Sequence, residues 1–147
     1  MDKYQHILVA VDLSGEGKVV ASRAVELAGR YNAKVSLLHV VEYIPVDLAN
    51  ELVLPQQQEI EEQLVLRAKE HLDSLAAGLK LPAIERRVVN GSTKSEILRC
   101  AEELRADLIV IGRHGRHGIS RILGSTANAV LHNAPCDVLV VKLGEAG

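Results

Sequence analysis

Residues 109–133 read IVIGRHGRHGISRILGSTANAVLHN, and the residue types and their spacing could hold an anion. Four glycines (Gly112, Gly115, Gly118, Gly124) and five basic-type side chains (Arg113, His114, Arg116, His117, Arg121) separate an apolar run from Ser125, with no carboxylate among them. A glycine-rich, acid-free loop entering a helix presents backbone N–H groups and the positive end of the helix dipole, an arrangement that holds phosphate. A nucleotide is the expected ligand, and a solvated connecting loop is the plain alternative. His114 and His117 are three residues apart, but a metal site needs a third ligand on a defined element, and none is visible, so no metal is assigned.

The other chemistry sits at the end of the first apolar run, in VAVDLSGEGK. This turn has neither the GxGxxG of a dinucleotide site nor the GxxxxGK[ST] of a P-loop. Asp12 there can accept a ribose hydroxyl or ligate a nucleotide-bound magnesium ion, or it can cap the helix that follows. No Ser-His-Asp, paired-carboxylate or GxSxG constellation can be assembled, so no catalytic residue is assigned. Cys100 and Cys136 lack CxxC spacing and the density of a disulfide scaffold, and read as reduced thiols in packing positions.

Positioning these residues falls to alternating strands and helices. Residues 6–11 (HILVAV), 34–41 (KVSLLHVV) and 107–111 (DLIVI) are short apolar runs of the kind buried on both faces of a parallel sheet. Residues 84–89 (IERRVV) have a more polar middle, suited to a sheet edge, and residues 137–142 (DVLVVK) make a fifth strand. Helical spacing appears in Val20, Ala24, Leu27, Ala28 and Tyr31, with Ser14 as the expected N-cap. It recurs in Ile60, Leu64, Ala68, Leu72, Leu75 and Leu79, which form the expected buried stripe of residues 56–79. A third helix reaches 105, with Ile97, Leu98, Ala101 and Leu104 inward and Thr93 and Glu96 at capping-box spacing. A last helix covers 125–133. Residues 42–55, punctuated by Pro45 and Pro55, read as an irregular excursion over the sheet's carboxyl edge.

The order β-α-β-α-β-α-β-α-β predicts an α/β, doubly wound five-stranded parallel sheet with helices on both faces. If the strand order is 3-2-1-4-5, the first and fourth strands flank the switch point where ligands bind, and their carboxyl ends are Asp12 and Gly112. The 147 residues suit a single domain, 1–147. A net charge of −2 without a basic run gives no support for a nucleic-acid or membrane-surface role. No leader pattern or membrane-length apolar run is seen, so the expected location is cytoplasmic.

HILVAVDLS, VSLLHVV and DLIVIGRHGRHGISRILGSTANAVLHNAPCDVLVV resemble the universal stress protein family, and the likeness runs from His6 to Leu143. The resemblance implies strand order 3-2-1-4-5 and a cytoplasmic homodimer whose last strand pairs across the dimer axis. It also implies a stress-response regulator, of a family in which some members bind ATP and others do not. The binders carry G-x2-G-x9-G-[ST] after the fourth strand; Gly112-x2-Gly115 matches, but eight residues, not nine, separate Gly115 from Gly124-Ser125. AVDLS and NAKVSLLHV look like the founding branch, whose members tend to lack the nucleotide. Position by position, Asp12 resembles the acidic residue near ribose or metal, and Val40 the strand-end backbone contact to adenine. Gly112, Gly115, Gly124 and Ser125 resemble the phosphate clamp, with Arg113 or Arg116 offsetting phosphate charge. The expectation is ATP or a related adenine nucleotide such as AMP, with magnesium, driving binding to an unknown protein partner. A nucleotide-free dimer acting through protein contacts is the alternative, and slow ATP hydrolysis or self-phosphorylation is a third reading.

Overall fold

The structure is a computed structural model, and it describes residues 3–13, 15–42, 55–81, 84–113 and 124–142, with residues 55–58 as backbone alone. In chain order the elements are β1 (His6–Ala10), α1 (Gly17–Tyr31), β2 (Lys34–Val41), α2 (Pro55–Ala77), β3 (Glu85–Asn90), α3 (Thr93–Leu104), β4 (Leu108–Gly112), α4 (Ser125–Asn133) and β5 (Asp137–Val141). The five strands form one parallel sheet in the order β3-β2-β1-β4-β5. The fold class, strand order and polar edge strand are those expected from the sequence.

β1 is central, and Ile7, Leu8 and Val9 are fully buried because helices cover both faces. Alternation along the strands divides the core into two layers. Ile7, Val9, Leu37 and Val110 pack with Val20, Ala24 and Ala28 of α1 and Leu72 of α2. Leu8, Leu38, Ile109 and Ile111 pack with Ile97, Cys100 and Ala101 of α3 and Ala127 and Val130 of α4. Each fully buried Leu or Ile contributes about 1.5–3 kcal/mol, so aliphatic packing holds this core without Phe or Trp. Cys100 is a packed thiol, and burial pushes its pKa up.

The helix ends differ from expectation in instructive ways. Ser14 lies outside the described residues, and α1 starts at Gly17 with Glu16 as its N-cap. The Glu16 carbonyl accepts from Val19 N and Val20 N, which fixes the first turn there. α1 stops at Asn32 and α3 at Arg105, both left-handed with φ of 56° and 52°, and the next N–H reaches back to Ala28 O and Ala101 O at 2.9 Å. The expected stripe of α2 is only half buried. Ala68 and Leu72 are in the core, whereas Ile60 is 54% and Leu64 41% exposed. At 23 residues α2 is about 34 Å long, against roughly 20 Å for the six residues of β3, so its first half outruns the sheet.

Candidate functional site

A cleft of about 880 Å³ lies at the carboxyl ends of β1, β2 and β4, the switch point of the sheet. Asp12, Val40, Gly112, Gly124 and Ser125, five of the seven site residues expected from the sequence, line it. Gly115, with the rest of residues 114–123, lies outside the described residues. Arg113 follows the cleft-lining Gly112 without lining the cleft itself. Its Nε and Nη2 are shielded from solvent and have no hydrogen-bond partner among the described residues.

The ends of the glycine-rich segment are tied together. Gly124 N donates to Arg113 O at 2.8 Å, and Arg113 N donates to Val141 O at 2.9 Å, so the loop begins and ends against the β4–β5 edge. α4 then starts with Gly124 as N-cap and Ser125 as its first helical residue, so Ser125 is not the cap. Among the described residues no side chain caps this helix, and its first turn carries no acid. The intrahelical ladder begins with Asn128 N to Gly124 O at 2.8 Å. Ser125, Thr126 and Ala127 therefore carry first-turn N–H groups with no intrahelical acceptor, and all three line the cleft.

The neighbouring helix is handled differently. Thr93 and Glu96 do not form the expected capping box: Ser92 is the N-cap of α3, without a side-chain bond, and Glu96 turns to Arg99 at 2.7 Å. The anion comes instead from the end of β2, where Glu42 Oε1 accepts from Thr93 N at 3.0 Å. The Thr93 backbone N–H and then its hydroxyl hold the Glu42 carboxyl below the usual carboxylate range. A lowered carboxylate pKa adds stability above the unfolded-state value and loses it as pH falls through the folded-state value. Glu42→Ala is thus expected to lower stability by about 1 kcal/mol near neutrality, with the gap to wild type closing in acid, read by urea unfolding across pH. A gap independent of pH would assign Glu42 no such role.

Three further polar residues face the cleft that sequence reasoning passed over. His39, inside an apolar strand run, places Nδ1 2.8 Å from Val11 O and so braces the β1 end beside Asp12. Arg67 and His71 are exposed residues of α2 and share with Leu64 one helical face at spacing i, i+3, i+7. A polar residue interrupting an apolar strand, and basic residues flanking the apolar stripe, were the available signals. Among the described residues no group of three or more His, Cys, Asp or Glu side chains converges as for a metal ion. Nor is any helix long and apolar enough to cross a membrane.

Comparison with known proteins covers the whole arrangement. The pattern of the universal stress protein family matches residues 3–142. Universal stress protein A homolog 1 of Coxiella burnetii is 40% identical over 142 residues, 97% of this chain and 99% of that protein. The solved structure of universal stress protein UspA from Lactobacillus plantarum superposes with a TM-score of 0.78 at 29% identity, covering 95% of this chain and 98% of that one. A universal stress protein solved in complex with cAMP superposes with a TM-score of 0.64 at 25% identity, covering 95% and 97%.

Proposed function

The chain belongs to the universal stress protein family, and from that premise we propose that its cleft binds an adenine nucleotide, ATP foremost, as a cytoplasmic regulator whose occupancy controls contact with a protein partner. One contrast carries the reading. The N-termini of α1, α3 and α4 meet the cleft; among the described residues Glu42 supplies an anion for α3, and none is supplied for α4. An open N-terminus fits a phosphate group, and Arg113, whose backbone oxygen accepts from Gly124 N and whose Nε and Nη2 have no partner among the described residues, is the nearby cation that could turn to it. Val40, Ile97, Ile111 and Ala127 offer the apolar surface that adenine needs. Asp12 stands between the two and suits the ribose or a nucleotide-bound magnesium ion. The relative solved with cAMP shows adenine-nucleotide binding on the same fold.

In this reading the nucleotide acts by binding and not by turnover. Equilibrium dialysis against labelled ATP with magnesium tests this: saturable retention, competed by AMP, with negligible phosphate release, is expected. Rapid release abolished by Asp12→Ala would make the protein an ATPase.

The eight-residue spacing from Gly115 to Gly124 favours a second reading, a nucleotide-free dimer acting through protein contacts. β5 is a sheet edge with Val138, Leu139 and Val140 partly exposed, a surface on which a second copy can pair. That reading is left standing if no ATP is retained at millimolar concentration.

A further inference from the structure

The cleft is lined from both core layers, so it straddles the edge of the sheet. Leu38, Val40, Ile97, Ile111 and Ala127 belong to the α3/α4 layer, and Val11 and Val20 to the α1/α2 layer. A nucleotide with its base at Val40 and its phosphate at α4 occupies the first limb. The second limb is taken as the α1/α2 side of the cleft, lined by Val20 of α1 and by Leu64, Arg67 and His71 of α2, with His39 and Asp12 also lining the cleft.

We propose that this second limb is an anion subsite in which Arg67 and His71 take a phosphate carried on the ribose 2′- or 3′-hydroxyl of the bound nucleotide. The inference rests on the nucleotide reading above and names the ligand class more narrowly: an adenosine bisphosphate rather than a nucleotide phosphorylated at the 5′ end alone.

Helical geometry makes the pair. Residues four apart on one face have Cβ atoms about 5–6 Å from each other, a span that one phosphate bridges. Ala68 between them is buried and small, seating α2 against the sheet so that both flanking side chains reach the cleft wall. Neither Arg67 nor His71 makes a hydrogen bond or ion pair among the described residues, whereas Arg86, Arg87 and Arg99 all pair with carboxylates. The acids of the same limb, Asp12 and Glu16, are engaged in interactions within the chain. A planar guanidinium and an imidazole set in a concave wall recognise phosphate oxygens by charge and by hydrogen bonds.

Calorimetric titration at low salt with AMP, adenosine 2′,5′-bisphosphate and adenosine 3′,5′-bisphosphate tests the assignment. At least one bisphosphate is expected to bind about fivefold or more tightly than AMP, since a charge-assisted contact is added. That ratio should fall to about one in the Arg67→Ala/His71→Ala double variant and shrink in roughly 0.5 M salt. Both side chains are exposed, so an unchanged melting temperature shows that the variant folds. Equal affinities in the wild type, or a gain that survives in the double variant, would overturn the second subsite alone. Failure of AMP and both bisphosphates to bind would overturn the nucleotide reading with it.

Discussion

Replacing Arg113 by methionine is expected to stabilise the ligand-free protein and, in the same step, to weaken nucleotide binding. Two of its guanidinium nitrogens are hidden from solvent and have no partner among the described residues. A buried donor left unsatisfied costs about 1–3 kcal/mol, and a flexible thioether of similar length removes that cost while filling the space. The melting temperature of the ligand-free variant should therefore rise, by about 2–4 °C for each kcal/mol recovered. Loss of a charge-assisted contact to phosphate should weaken ATP by roughly 10- to 100-fold. The two effects have opposite signs, which separates this account from a structural role for the arginine. If Arg113 merely braced the loop, the variant would melt lower; if it had no role, neither quantity would move.

The second large effect concerns two glycines of α1. A Cβ built on Gly17 would lie 2.5 Å from the Asp12 carbonyl oxygen and 3.5 Å from Val11 Cβ, while one built on Gly29 meets nothing within 4 Å. Helix propensity alone favours alanine over glycine by about 1 kcal/mol, so Gly29→Ala should stabilise the protein by up to that amount. At Gly17 the sterics win. The contact is with backbone that cannot rotate away, and overpacking of this kind costs about 1–3 kcal/mol, more than the propensity returns at the first residue of a helix. Because Gly17 and Asp12 both line the cleft, Gly17→Ala should also weaken ATP, whereas Gly29→Ala should not. Denaturant unfolding of the two variants reads the sign directly. A stabilising Gly17→Ala would show that α1 can shift away from Asp12 without loss.

Most of the fold was legible because its signals are local. An apolar run such as HILVAV needs no partner to announce a strand covered on both faces, and Val20, Ala24 and Ala28 announce a helix face by spacing alone. The alternation of strands and helices gave the doubly wound sheet, and the likeness to the family implied its strand order. Of the residues that line the cleft, Asp12 and Gly112 followed from the rule that ligands gather at the switch point, Gly124 and Ser125 from the glycine-rich loop entering a helix, and Val40 from the likeness to the family alone.

What escaped the sequence depends on distant pairs. Glu42 caps a helix 51 residues away, so the nearer Thr93 and Glu96, at the right spacing for a capping box, pointed to the wrong anion. Ser14 had the chemistry of an N-cap, but the N-cap of α1 is Glu16, two residues later. Ile60 and Leu64 continue a helical stripe whose spacing cannot reveal that the sheet beneath it has ended. Arg67 and His71 flank that stripe and drew no reading from the sequence, although α2 places them at the cleft.

The central claim is that phosphate lies at the open N-terminus of α4, and the backbone amides there report it most directly. In a ¹⁵N–¹H correlation spectrum titrated with ATP and magnesium, the cross-peaks of Ser125, Thr126 and Ala127 should move saturably with a single dissociation constant, as N–H groups lacking an intrahelical acceptor gain a charged one. The amide of Thr93, already held by Glu42, should move less. Cross-peaks of Ser125, Thr126 and Ala127 that stay fixed at millimolar ATP would contradict the account.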